Sequence, residues 1–151
     1  MKSFAFLCSF LLLGLGASAQ FGANPIAWTF TATQVETNTY LLSFEADAES
    51  GWYVYSQHLD DGGPIPTSFE FSETSGLKMI GEIVEEGIAV KAFDETFNME
   101  LTYFKNTVSF QQKVELTGDA GVAKGTLTFM TCNGETCLPP RDVEFSFNVS
   151  Q

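Results

Sequence analysis

The sequence has one histidine, His58, three cysteines and only seven basic residues in 151. Each scarcity removes a class of chemistry. A single histidine cannot supply a metal cage, and together with two cysteines it still falls short of the four ligands a structural zinc site takes. No Ser/His/Asp set, paired-carboxylate site or glycine-rich phosphate loop stands out. Asp60-Asp61-Gly62-Gly63 lacks the alternating ligands and terminal acid of a calcium loop and reads as a turn. No cofactor and no metal are therefore expected. Seven basic against nineteen acidic residues give a formal charge of −12. Nucleic acid and anionic membrane surfaces reward clustered Lys and Arg, so neither is an expected partner.

Long apolar runs are also missing, except at the start. Lys2, an apolar run from Phe4 to Leu15 and then Gly16-Ala17-Ser18-Ala19 have the form of a signal peptide with an Ala-x-Ala cleavage site. Residues 1–19 are expected to be removed, leaving 20–151 as one exported domain. The run is shorter than the ~20 apolar residues a membrane span needs, and no later segment approaches that length. No membrane span is expected after cleavage. Losing Lys2 takes the charge from −12 to −13, and losing Cys8 leaves two cysteines, Cys132 and Cys137. In an oxidising compartment such a pair can bond.

What is abundant is β-forming material: 44% of residues are hydrophobic and 14% aromatic, enough for one packed domain. Residues 26–33 and 39–46 alternate apolar and polar with β-branched filling. Residues 52–56 form an aromatic-rich strand in which Tyr53 and Tyr55 share one face and Trp52 takes the other. Residues 67–72, 77–84, 87–93 and 99–104 follow as short strands, with turns expected at Glu85-Glu86 and Lys105-Asn106. Val108, Phe110, Gln112 and Val114 give the clearest alternation, within 107–116, and residues 122–131 and 143–149 complete the set. Eight or nine short strands punctuated by turns, without a helical period or a repeat, predict an all-β, antiparallel β-sandwich.

One stretch stands apart: Cys132-Asn133-Gly134-Glu135-Thr136-Cys137, followed by Leu138-Pro139-Pro140. Asn-Gly between β-forming runs is a hairpin signal, and here a cysteine stands at each end of the loop. Directly opposed strand residues have Cα atoms about 4.5 to 5.5 Å apart, so a disulfide is geometrically easy. Closing so small a ring stabilises the fold by only about 2 kcal/mol. A bond between neighbours thus leans toward redox chemistry, while a permanent hairpin disulfide in a non-catalytic exported binding module stays open.

Three features in this order, namely Gly51-Trp52-Tyr53-Val54-Tyr55-Ser56, the loop Asp94-Glu95-Thr96-Phe97, and the pair Cys132 and Cys137 with its Leu-Pro-Pro sequel, carry a resemblance. Over roughly residues 26–149 the chain resembles the N-terminal periplasmic domain of the DsbD thiol:disulfide interchange family. The resemblance implies an immunoglobulin-like sandwich, periplasmic localisation and thiol-disulfide oxidoreductase activity. It further implies a relay of electrons from a membrane thiol transporter to thioredoxin-like periplasmic proteins. Cys137 would form the mixed disulfide with a partner and Cys132 would resolve it. Asp94, Glu95, Thr96 and Phe97 would form a cap loop with Phe97 over the pair, and Tyr53, Tyr55 and Pro139 would lie near the site. With no further domain in the sequence, the expectation is a free-standing version whose electron donor is another protein.

Overall fold

The computed structural model describes residues 24–151; the expected signal segment 1–19, with Cys8, lies outside them. Eight strands follow one another: β1 (Ile26–Glu36), β2 (Thr39–Ala48), β3 (Tyr53–Tyr55), β4 (Ser68–Glu73), β5 (Leu77–Asp94), β6 (Met99–Leu116), β7 (Ala120–Cys132) and β8 (Cys137–Ser150). All pairings are antiparallel, in the order β1-β2-β6-β3-β7-β4, with β5 added to β6 and β8 added to β7. Among the described residues there is no helix long and apolar enough to cross a membrane.

The sheet curls so that its two ends face each other, and the contact between them is aromatic. Phe44 of β2 is wholly buried and meets Phe69 and Phe71 of β4 as well as Phe145 and Phe147 of β8, at centroid separations of 4.7 to 6.3 Å. Phe30 of β1 reaches the same β8 pair, closing the sandwich along that side. These rings meet edge-on or tilted, the arrangements favoured by the aromatic quadrupole. Alternation explains the placement: Val108, Phe110, Gln112 and Val114 all point inward as their spacing predicts. Gln112 is admitted to the core because its amide donates to the carbonyls of Ile80 and Lys113.

Three expectations are corrected. Residues 77–84 and 87–93 are one strand, β5, and 99–104 and 107–116 are one strand, β6. Glu85-Glu86 and Lys105-Asn106 are not turns. Glu85 and Glu86 pair regularly with Phe110 and Ser109, with the β5–β6 register slipping on either side, between Ile80 and Val84 and between Gly87 and Ala89; Asn106 takes a left-handed φ of 63° within β6 at the second of these slips. Trp52 lies just outside β3, half-buried against the main core.

The break at Lys105–Thr107 lets β6 serve two neighbours on one side. Its C-terminal part pairs with β2 (Thr39↔Glu115 to Asp47↔Thr107), and its N-terminal part pairs with β3 (Tyr53↔Lys105 to Tyr55↔Tyr103). Beyond the loop after β3, Glu85 of β5 accepts hydrogen bonds from the Ser56 hydroxyl and the Gln57 amide, tying that loop to β5. The result is a short strand, β3, held on both sides, by β6 and by the end of β7.

Candidate functional site

The site grows from β3. Val54 points into the main core, while Tyr53 and Tyr55 point the other way, as their spacing predicts, and build a second apolar cluster with Leu101 of β6 and Cys132 of β7. Register produces this: Tyr53 is opposite Cys132 on one side of β3, and Tyr55 is opposite Tyr103 on the other. The Tyr53 ring meets those of Tyr103 and Tyr55 at 4.3 and 5.5 Å. Thr131 donates its hydroxyl to the Tyr53 carbonyl, locking the end of β7 onto β3.

β7 ends on Cys132 and β8 begins on Cys137, a directly opposed pair joined by a disulfide, with Cα atoms 4.1 Å apart. The loop between them is preformed. Asn133 accepts the amides of Glu135 and Thr136 on its side-chain oxygen, and its own amide donates to the Thr136 carbonyl. Gly134 takes a φ of +90°, which a side chain would resist.

The two sulfur-bearing residues are not equivalent. Cys132 is 1% exposed and accepts a hydrogen bond from the Tyr55 hydroxyl at 3.1 Å on Sγ, whereas Cys137 is exposed. An external thiolate can reach only the Cys137 side of the bond without local opening.

The β5–β6 turn stands beside this pair. Asp94 accepts the amides of Thr96 and Phe97 on one carboxylate oxygen, and Asn98 follows with a left-handed φ of 54°, so the turn has a defined shape. Phe97 is half-buried and packs on the cluster of Tyr53, Tyr55, Leu101 and Cys132. A cleft of about 180 Å³ runs between the turn and the cysteine hairpin, with Tyr53, Asp94, Thr96 and Phe97 on one side. Glu135, Thr136 and Cys137 line the other. Larger hollows elsewhere on the surface, up to about 460 Å³, contain neither cysteine.

Burial pushes the Tyr53 phenol above its ordinary pKa; its hydrogen bond with Tyr55 opposes the rise and the Asp94 carboxylate adds to it. Tyr55 is pushed up much further, again chiefly by burial, with Tyr53 and Asp94 adding to it. Both phenols therefore stay protonated and available as donors at neutral pH. Among the described residues, no cluster of His, Cys, Asp or Glu could hold a metal ion.

Of the residues singled out by sequence, Tyr53, Tyr55, Phe97, Cys132 and Cys137 come together, and Asp94 and Thr96 border their cleft. Glu95 and Pro139 are exposed and line no part of it. Sequence reasoning missed Leu101 and Tyr103, which the Tyr55↔Tyr103 register brings in, and Asn133, whose side chain shapes the loop. The Asn-Gly pair was a visible signal for the latter.

Comparison with known proteins bears on the same region. No match was found among curated proteins. The N-terminal domain of Neisseria meningitidis DsbD, solved in the reduced form, superposes with a TM-score of 0.52 at 17% identity, covering 84% of this chain and 87% of that one. The N-terminal periplasmic domain of Proteus mirabilis ScsB gives 0.53 at 15% identity, over 85% of this chain and 52% of that one. These likenesses identify the curled sheet as the immunoglobulin-like sandwich of such domains. The family model described as thiol:disulfide interchange protein DsbD, N-terminal, matches residues 18–148. With nearly its whole length matched, the chain belongs to the DsbD N-terminal domain family.

Proposed function

We propose that the protein is a periplasmic thiol-disulfide exchange carrier that relays electrons through Cys132 and Cys137, drawing them from a membrane thiol transporter and delivering them to thioredoxin-like partners. The observation that carries this is the asymmetry of the pair: one half exposed on a shaped hairpin, the other buried under aromatics. A structural staple gains nothing from an exposed, lightly stabilising bond beside a cleft, whereas exchange needs an accessible sulfur with an open line of attack.

In the reducing half-cycle, a donor dithiol's thiolate attacks Cys137 Sγ. The Sγ–Sγ bond breaks, its electron pair leaves on Cys132, and a mixed disulfide links donor and Cys137. The donor's second thiolate then releases Cys137, so the donor dithiol is oxidised and this pair becomes a dithiol. Delivery runs the other way: Cys137 attacks an acceptor disulfide and Cys132 resolves the product. Phe97 and its turn act as the cap, restricting approach to Cys137 until a partner displaces the ring. Membership of the family, the solved periplasmic likeness and the signal-like residues 1–19 support export.

Titrating the mature protein in a glutathione or dithiothreitol redox buffer tests the reading. Reversible reduction with the β-sheet signature intact is the expected result. A bond that resists reduction until the domain unfolds would leave a binding module with a permanent hairpin disulfide. Cys132→Ala should strand thioredoxin-like partners on Cys137 as a mixed disulfide, detectable on a non-reducing gel.

A further inference from the structure

Exchange at an asymmetric pair raises a question of charge. When the Cys132–Cys137 bond is attacked at its exposed end, a full negative charge develops on a sulfur that is 1% exposed and sealed from water by Tyr53, Tyr55 and Leu101. An uncompensated anion there is costly, and the Asp94 carboxylate beside the tyrosine cluster makes it worse. Something must compensate on the protein side, and the described contacts of Cys132 Sγ include one donor, the Tyr55 hydroxyl at 3.1 Å.

We infer that Tyr55 is the built-in donor for the Cys132 thiolate, stabilising it both as the leaving group when the pair is reduced and as the resolving nucleophile when the pair is re-formed. This rests on the exchange reading of the pair. The phenol is suited to the task by position: it is wholly buried, its ring is wedged against Tyr53, and it lies two residues along β3 from Tyr53, which the register sets opposite Cys132, so that both tyrosines share the face bearing that sulfur. The charged and titratable neighbours facing it are Tyr53 on its own strand, Asp94 in the β5–β6 turn and Tyr103 on β6. None is a cation.

The interaction is also differential. A disulfide sulfur is a weak acceptor, so the Tyr55 hydrogen bond contributes little in the oxidised state. Once the electron pair arrives on Cys132, the acceptor becomes an anion, and a hydrogen bond to an ionised group is about twice as strong as a neutral one. The part of that stabilisation that grows as charge develops lowers the barrier instead of merely holding the ground state. Electrons balance without a further reagent: the attacking dithiol supplies the pair, Cys132 holds it, and Tyr55 keeps its proton while lending the hydrogen bond.

Tyr55→Phe removes one oxygen and leaves the ring. The expected result is a roughly tenfold slower reduction by dithiothreitol, a redox midpoint shifted toward a harder-to-reduce pair, and an unchanged thermal unfolding profile. In a Cys137→Ser background, the Cys132 thiol should titrate about one pH unit higher with Phe at position 55 than with Tyr, read from thiolate absorbance. Site-specific fluorotyrosine at position 55, a stronger donor, should move rate and titration the opposite way, and keeps the test open if the Phe variant folds poorly. If wild-type protein is reversibly reduced but rate, midpoint and thiol titration ignore both replacements, the role of Tyr55 is wrong and the relay stands. If wild-type protein cannot be reduced while folded, the relay itself fails and this inference falls with it.

Discussion

Opening the Cys132–Cys137 bond should leave the domain folded, and the structure sets how much stability goes with it. The bond closes a ring of six residues, 132 to 137, for which loop-closure entropy gives about 2 kcal/mol. Without it the β7–β8 hairpin keeps its ladder from Ala120↔Ser150 to Thr131↔Leu138, the Asn133-capped loop, and the Thr131 bond to β3. A domain of this size is typically stable by about 5–15 kcal/mol, so the loss is a fraction of the total. With a urea slope near 2 kcal/mol/M, the midpoint should fall by about 1 M on reduction or in the double Cys→Ala variant, with the slope unchanged. The cycle also runs in reverse: folding can favour the bond over the unfolded chain by only the same ~2 kcal/mol, roughly 30-fold, which leaves it within reach of a reducing partner. Equilibrium urea denaturation of oxidised and reduced protein, followed by tryptophan fluorescence, measures this. A reduced protein that loses cooperative unfolding, or whose midpoint falls by several molar, would refute the reasoning and make the bond a structural staple.

Phe97→Ala should accelerate reduction by a small thiol several-fold while costing about 1 kcal/mol, as the ring is only half-buried; an unchanged rate in stopped-flow reduction would remove the cap. Gly125→Ala should destabilise by roughly 1–3 kcal/mol in urea melts, because a Cβ there would meet the Glu70 carbonyl of β4 and the Phe145 ring of β8. In alkali the raised phenols decide the sign. Above the ordinary tyrosine pKa of 10.0 the unfolded chain loses protons that folded Tyr53 and Tyr55 retain, so stability present below that pH declines as pH rises further. Tyr55→Phe should flatten that decline, measured by chemical denaturation on either side of pH 10.

The sandwich was legible because its strands alternate cleanly: Val108 to Val114 point inward as written, and Val54 parts from Tyr53 and Tyr55 as a period of two requires. The cysteine hairpin was legible because it is local. What was hidden depends on partners far along the chain. Glu85-Glu86 has the composition of a turn, yet Glu85 stays in β5 and accepts hydrogen bonds from Ser56 and Gln57. Lys105-Asn106 likewise looked like a hairpin turn, because Asn tolerates the left-handed conformation in bulges and turns alike. Phe97 sits in a polar stretch, and its partial burial comes in part from residues of β3 and β7 that no local window contains. Tyr55 was placed near the site by resemblance alone, because its contact with Cys132 spans 77 residues.

That distance separates two kinds of contact during folding. The cysteines stand five positions apart, whereas the tyrosine that contacts one of them must be brought in across 77. Small loops close in well under a microsecond, while pairing between distant strands is the slow part of assembling a β-rich chain. If residues 1–19 are removed as expected, no third thiol competes. With one possible pairing, between residues five apart, oxidation of the unfolded or the folded chain gives the same bond and needs no isomerase. The aromatic enclosure waits on the slower pairing of β3 with β6 and β7, whichever step oxidation follows.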